Sequence, residues 1–240
     1  MHNDEQGGLP RARILVAATG KGGAGKSTTI ACLATYWHCA GHRVALLDAD
    51  PNQTLTRWHA KGSALAAMTL RTEAAEDRII PVVGDLADRH DLILIDCPGF
   101  GSQANVFAVG AADLVLIPVM TDEANVFEAL RMRRLVESAS RLTRRSIPAR
   151  TLLTRVKRSG VADHSHRQLV ALDAEPLAAR IADRAIFQEA SFHGSSPVML
   201  EPSGRAAREI EALAIELESL DWWRPRQAGV RTAITAQNGN

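Results

Sequence analysis

Two lysines enclose a glycine-rich stretch near the start of the chain, in the order Gly20-Lys21-Gly22-Gly23-Ala24-Gly25-Lys26-Ser27. The spacing of Gly20, Gly25, Lys26 and Ser27 is the Walker A pattern, and it stands between an apolar run and a helical pattern, the context that makes it specific. Glycines let successive backbone N–H groups face one anion, and a helix N-terminus adds its dipole. We predict that residues 21–28, Thr28 included, bind a nucleotide, that Lys26 neutralises phosphate charge and that Ser27 ligates Mg²⁺.

Three aspartates follow apolar runs and could complete this chemistry. Asp48 and Asp50 end the run RVALLDAD, and Asp96 ends DLILID. Carboxylates at the tips of parallel strands face the ligand crevice. Asp96 is predicted to hold Mg²⁺ directly or through water, as in a Walker B strand. Asp48 and Asp50 point to one side, so that one can serve the metal shell and the other the attacking water; the alternative is that Asp50-Pro51 only starts a turn.

Strand-like and helix-like segments alternate along the chain, which predicts an α/β fold with a doubly wound, mostly parallel sheet flanked by helices. The strand candidates are residues 13–19, 43–49, 67–72, 91–97, 113–119 and 149–155, with a weaker one at 177–183. The helix candidates are residues 26–40, 53–65, 74–89, 103–111, 123–140, 163–173 and 204–220.

The 240 residues, 46% of them apolar, suffice for one sizeable core. We predict a flexible N-terminus at 1–11, a single domain at 12–223 and a flexible C-terminal tail at 224–240. Neither a signal peptide nor an 18-residue apolar run is present, so we expect a cytoplasmic protein without stable membrane insertion. The three cysteines have no paired spacing, and we expect all of them to be packing residues.

Basic residues crowd between positions 131 and 158, where ten Lys and Arg accompany a single acid, Glu137. The first 130 residues carry 10 basic and 15 acidic side chains, whereas the last 110 carry 18 and 12. Such a cluster can bind DNA without sequence preference by neutralising phosphates. The candidate DNA-binding residues are Arg131, Arg134, Arg141, Arg144, Arg145 and Arg158. The alternative is a solvated arginine face, or pairing with the glutamates of the last helical segment, 204–220.

The segment from Lys21 to Ser27 resembles the deviant Walker A box of the ParA/MinD ATPases. In that family the extra lysine reaches the partner subunit's phosphates in a nucleotide-sandwich dimer, which implies ATP and Mg²⁺ as cofactors and an ATP-dependent homodimer here. The box ending in Asp48-Ala49-Asp50-Pro51 is similar to the family's second motif. The resemblance implies that Lys21, Lys26 and Asp50 are catalytic, with Asp50 acting on the water and Asp48 assisting the metal. Thr154 and Arg155 lie where the family's strand meets adenine, and are carried over as base contacts.

The resemblance covers residues 13–220 and looks closest to small plasmid-partition ParA proteins; residues 46–58 also resemble the accessory ATPase of T-DNA transfer. It implies slow ATP hydrolysis stimulated by a ParB-like, centromere-binding adaptor, and nucleoid association through non-specific DNA. The dozen residues before the first strand leave no room for a helix-turn-helix module, so operator-specific repression is not expected.

Four alternatives stay open from the sequence. A related ATPase could position a conjugative, T-DNA or other cargo. A MinD-like membrane-cycling ATPase would need a terminal amphipathic anchor, for which only Trp222 and Trp223 beside basic residues offer support; packing of these rings onto the domain is the simpler reading. A P-loop transferase would need an acceptor pocket, and a relative of the Fe-protein type would need a second cysteine beside Cys97.

Overall fold

In the computed structural model of the protein, which describes residues 12–99 and 102–223, seven strands form one parallel sheet. Its spatial order is β3-β2-β4-β1-β5-β6-β7, and every neighbouring pair is parallel. The strands are β1 (Arg13–Ala17), β2 (Val44–Asp48), β3 (Thr69–Thr72), β4 (Leu92–Asp96), β5 (Leu114–Met120), β6 (Ala149–Val156) and β7 (Pro176–Ala182). The predicted fold class is confirmed, and the weak seventh strand candidate is a strand.

Consecutive apolar residues form the central strands because both faces of the sheet are covered. Every residue of β2 and of β4 is buried. The two faces differ in composition: Ile14, Ile93 and Ile117 join one core cluster, whereas Leu15 and Leu94 join the other. β-branched side chains suit the pleated surface, and burying each side chain fully contributes about 1.5–3 kcal/mol.

Nine helices accompany these strands within the described residues. They are α1 (Lys26–Cys39), α2 (Thr54–His59), α3 (Ile79–Ala87), α4 (Ala104–Ala111), α5 (Glu123–Thr143), α6 (Ser159–Ala171), α7 (Ala185–His193), α8 (Pro197–Leu200) and α9 (Arg205–Glu218). Side chains of α1, α2 and α9 pack in the leucine-rich core, and side chains of α3 to α6 pack in the other. The seven helix candidates correspond to helices, although the candidates at 53–65 and 74–89 each divide into a short α-helix and a 3₁₀ turn.

Helices α7 and α8 were not predicted. Ala190 is the one buried residue of α7, so this helix lacks the apolar stripe that reveals a helix in a sequence. Short helices with one buried position are placed by tertiary contacts, which a periodicity search does not detect.

Trp222 and Trp223, the last described residues, pack against α9 and α1. The Trp222 ring is buried and its Nε1 donates to the carbonyl oxygen of Leu217 at 2.8 Å. Trp223 stacks on Trp37 of α1 with 5.3 Å between ring centroids. Packing onto the domain, the simpler reading of this tryptophan pair, is therefore confirmed. The predicted ends at 1–11 and 224–240 lie outside the described residues.

The prediction that all three cysteines are packing residues is wrong for one of them. Cys32 and Cys97 are buried, whereas Cys39 is exposed at the end of α1, 3.5 Å from the sulfur of Met199. Cys39, in the last turn of α1, faces solvent although free cysteine is usually a core residue.

Candidate nucleotide site

The glycine-rich loop joins β1 to α1 at the carboxyl edge of the sheet, where the chain order reverses on either side of β1. Gly23 and Gly25 have φ angles of +81° and +88°, a region that suits glycine. No side chain caps the N-terminus of α1, so its first N–H groups face outward from the loop. This arrangement is an anion cradle with a helix dipole behind it.

Lys26 and Ser27 open α1, and Asp96 ends the neighbouring strand β4. Lys26 is only 7% exposed, and Asp96 is fully buried. Neither carboxylate oxygen of Asp96 has a hydrogen-bond partner among the described residues. Burial raises the pKa of Asp96 to about 7, while Ser27 and the charge of Lys26 oppose the rise. A buried carboxylate whose neighbours are the Ser27 hydroxyl and the Lys26 ammonium fits the oxygen ligands that Mg²⁺ prefers.

Asp48 lies in register with Asp96 on the adjacent strand β2, but its carboxylate is engaged by the protein. Thr56 of α2 donates to Asp48 Oδ2 through both its backbone nitrogen, at 2.8 Å, and its hydroxyl, at 2.9 Å. Burial raises the pKa of Asp48, and these bonds oppose that effect. Asp48 therefore anchors α2 beneath the site, a task that the sequence did not predict, and its predicted part in the metal shell stays a prediction.

Asp50 and Lys21 stand at the rim of the same site. Asp50 is partly exposed, and one of its oxygens accepts a hydrogen bond from the backbone of Asn52 at 2.9 Å. The segment therefore does form a turn, and the second oxygen of Asp50 accepts no hydrogen bond from the described residues. Lys21 is half-buried on the loop and forms no ion pair within the described part of the chain.

Thr154 and Arg155 lie beside the loop at the end of β6. The Thr154 hydroxyl donates to the carbonyl oxygen of Ala24 at 2.8 Å, so this buried side chain braces the glycine loop. Arg155 has a φ of +51° and lines a cavity of about 170 Å³ that begins at Gly25. The far wall of the cavity is α7, whose residues the sequence did not indicate. The main lining residues are Thr28, Cys32, Trp58, Ile181, Asp183, Arg184, Phe187, Gln188 and Ser191.

The predicted DNA-binding arginines divide into paired and unpaired groups. Arg131 pairs with Glu128 at 3.0 Å, and Arg145 pairs with Asp113 at 3.0 Å. Within the described residues, the exposed side chains without an ion pair are Arg134, Arg141, Arg144 and Arg158.

Two glutamates of α9, Glu209 and Glu216, bind groups other than these arginines. Glu209 pairs with Arg184 at the end of β7. Glu216 accepts hydrogen bonds from two backbone amides at the start of β7, those of Ala178 and Ala179. Two acids of the alternative pairing therefore serve β7, and the outer face of α5 keeps its positive charge.

Proteins of known family resemble this chain in sequence over most of its length. A family model described as VirC1 protein matches residues 12–204. The chain belongs to the VirC1 family. Protein ParA of Rhizobium radiobacter is 30% identical over 210 residues, covering 82% of this chain and 91% of that protein. Protein virC1 of Rhizobium radiobacter is 29% identical over 170 residues, covering 69% of this chain and 74% of the relative. The maintenance of carboxysome distribution protein A of Gloeobacter kilaueensis is 32% identical over 220 residues, covering 88% and 95%.

Solved structures share the fold of this VirC1-family chain. An ATP complex of a McdA variant from Cyanothece superposes with a TM-score of 0.69 at 17% identity, covering 86% of this chain and 96% of that one. The MinD protein of Pyrococcus horikoshii, complexed with Mg-ADP, gives a TM-score of 0.68 at 18% identity, covering 87% and 96%. The family resemblance drawn from the Lys21–Ser27 box is confirmed, and the chain is of the ParA/MinD type.

Proposed function

We propose that this protein hydrolyses ATP with Mg²⁺, dimerises in the ATP state and positions a DNA cargo. The observation that carries the proposal is the buried carboxylate of Asp96, which makes no hydrogen bond of good geometry and lies near Ser27 and Lys26 beside an open glycine cradle. A buried acceptor left without a donor is costly in a native protein unless a ligand satisfies it. The ParA, virC1 and MinD relatives support the same reading.

The residues of the site take the following roles in the proposal. Backbone N–H groups of residues 22–28 hold the phosphates, and Lys26 neutralises them. Ser27 and Asp96 hold Mg²⁺, which when bound offsets negative charge between the β- and γ-phosphates. Asp50 orients the attacking water with its free oxygen. Asp48 supports this set by holding α2, and the cavity lined by Arg155 and α7 receives the base.

Lys21 is assigned to the partner subunit's phosphates. A triphosphate at an interface needs cations from both sides, and Lys21 has no carboxylate partner to hold it within its own described chain. Sedimentation velocity with Mg²⁺ and a slowly hydrolysed ATP analogue tests this role. We expect dimers for the wild type, monomers that still bind the analogue for Lys21→Ala, and loss of binding for Lys26→Ala. Intact dimers of Lys21→Ala would overturn the role of that lysine.

DNA binding is assigned to the exposed arginines of α5 and of the loop after β6. Arg134 and Arg141 are seven residues apart and share a helix face, and Arg144 follows at the helix end. Neutralised phosphates release counterions, so the affinity is sequence-independent and falls with salt. Co-sedimentation with duplex DNA at low and moderate salt, with and without ATP, measures it. Salt-insensitive binding, or none in either state, would remove DNA from the proposal.

The proposal also includes an adaptor protein and a DNA cargo. We assign a ParB-like, centromere-binding adaptor that stimulates slow hydrolysis, and association with the nucleoid in the cytoplasm. The virC1 relatives equally favour positioning of a T-DNA or conjugative cargo. Fluorescent labelling of the protein in cells, with candidate cargo DNA marked, distinguishes these cargoes by co-localisation.

A MinD-like membrane cycle has less support. No helix in the described part of the chain combines the length and the hydropathy that a membrane span requires, but the amphipathic anchor that this cycle needs is a different feature. The tryptophans that could anchor at a lipid surface pack instead on Trp37 and on α9. Co-sedimentation with anionic liposomes in the ATP state tests this alternative, and strong binding would restore it.

A further inference from the structure

A buried asparagine contacts the loop that follows Asp96. Asn105 lies in the first turn of α4 and is 1% exposed. Its Nδ2 donates to the carbonyl oxygen of Gly99 at 3.0 Å. Gly99 is three residues beyond Asp96, and the intervening segment, Cys97 and Pro98, leads from the metal-binding carboxylate to that carbonyl. The side chain thus ties the start of this loop to the helix behind it.

The other half of the Asn105 amide has no partner. Its Oδ1 is buried and accepts no hydrogen bond from the described residues. A single buried asparagine in the otherwise apolar run from Ala104 to Ala112 is expensive when only half of its amide is bonded. A buried polar group of this kind calls for an explanation, and its place beside the loop after Asp96 suggests one.

We propose that Asn105 is a positioning residue for ATP hydrolysis, holding the backbone at Gly99 at a set distance from Asp96. The inference rests on the proposed ATPase function. In the nucleotide-free state the amide fixes the loop through its donor. With the terminal phosphate in place, Oδ1 offers an acceptor to a backbone N–H of the same loop. Asn105 touches neither the phosphates nor the water, so its effect falls on the turnover step and not on nucleotide affinity.

Two substitutions test the role. Asn105→Asp, studied at pH 8, keeps the shape of the side chain but replaces the Nδ2 donor with an acceptor facing the Gly99 carbonyl. Asn105→Ala removes both halves of the amide. We expect kcat to fall about 10-fold or more in both variants, with KM within about 2-fold of the wild-type value. The conservative Asn105→Gln variant, which restores an amide, is expected to recover part of kcat.

A matched control separates positioning from general loss of a buried hydrogen bond. Thr151 is fully buried in β6, and its hydroxyl donates to the carbonyl oxygen of Ala174 at 3.0 Å, away from the loop. Thr151→Val removes that bond at nearly constant volume. We expect it to lower the unfolding midpoint, as Asn105→Ala does through loss of one buried neutral hydrogen bond, while leaving kcat within about 2-fold.

A readout without nucleotide accompanies the kinetics. Hydrogen–deuterium exchange of the backbone amide at Gly99 in the nucleotide-free protein should accelerate in Asn105→Asp and stay unchanged in Thr151→Val, whereas the amide of Cys97, bonded to the Ala17 carbonyl, should keep its rate in both. If the wild type does not hydrolyse ATP, the proposed function fails. If the wild type hydrolyses ATP while both Asn105 variants match its kcat, or if loop exchange does not change, the positioning role is overturned.

Discussion

The carboxylate of Glu128, in the second turn of α5, lies directly against Gly20 of the phosphate loop. A β-carbon at residue 20 would stand 2.1 Å from Glu128 Oε2 and 3.2 Å from Glu128 Cβ. Oε2 is buried without a hydrogen bond, whereas Oε1 accepts from Arg131 at 3.0 Å. The first residue of the Walker A pattern is therefore glycine here because a side chain from α5 occupies the space, and α5 touches the loop that it flanks.

This contact predicts the behaviour of Gly20→Ala. The added methyl displaces Glu128, and overpacking of this kind costs about 1–3 kcal/mol. We expect lower stability to urea and weaker binding of a fluorescent ATP analogue.

The double variant Gly20→Ala/Glu128→Ala checks the cause of that loss. Removal of the Glu128 carboxylate opens room for the methyl, so affinity and stability should return most of the way. Additive losses in this double-mutant cycle would show that the two positions act independently.

The two register-matched aspartates should respond oppositely to amide substitution. Asp96→Asn removes a buried charge whose desolvation outweighs the opposing effects of Ser27 and Lys26, so we expect the nucleotide-free protein to gain about 1–3 kcal/mol of stability at pH 8 while losing its Mg²⁺-dependent nucleotide affinity. Asp48→Asn can keep an acceptor for both Thr56 donors, but it turns Oδ1, which accepts from the backbone nitrogen of Asp50 at 3.3 Å, into a donor, and should therefore lose stability. Urea unfolding measures both, and a destabilised Asp96→Asn would show that its carboxylate has a structural partner.

The parts of the fold that the sequence predicted are those with a strong local signal. The central strands are apolar at every position because both faces are buried, and α1 follows the glycine loop directly. Helix α7 was not predicted because Ala190 is its one buried residue, so its sequence shows no apolar stripe. Its position at the wall of the cavity lined by Arg155 depends on contacts with elements far away in the chain.

In the candidate site, too, the predicted features are those with a local sequence signal. The loop and Ser27 were predicted because a motif fixes their spacing, and Asp96 was predicted because it ends an apolar strand. The hydrogen bonds of Thr56 to Asp48 and of Thr154 to Ala24 were not, because each joins residues from different elements. Periodicity carries no information on which polar side chain will meet which backbone carbonyl.

The brace from β6 to the phosphate loop gives a further prediction. Thr154→Val removes the donor to the Ala24 carbonyl and leaves that carbonyl in a buried place, which costs about 1–3 kcal/mol. We expect weaker nucleotide binding from a loosened loop, and recovery in Thr154→Ser, which keeps the hydroxyl. Isothermal titration with ATP and Mg²⁺ measures this effect, and equal affinities in Thr154→Val and the wild type would exclude a bracing role.

The unpaired arginines on α5 should differ from a paired one in DNA binding. Arg134 and Arg141 are exposed without an ion pair among the described residues, whereas Arg145 is held by Asp113 and by the carbonyl oxygens of Gly110 and Ala112. We expect the double variant Arg134→Ala/Arg141→Ala to weaken DNA binding in the ATP state. The slope of log affinity against log salt concentration should fall in magnitude by about 2, because each lost phosphate contact removes about one released counterion. Arg145→Ala should leave the slope nearly unchanged and lower stability, because its guanidinium binds the protein. Fluorescence anisotropy across a salt series measures the slopes, with ATP hydrolysis as the control for an intact nucleotide site. Equal slopes in the double variant and the wild type would show that DNA lies on another face.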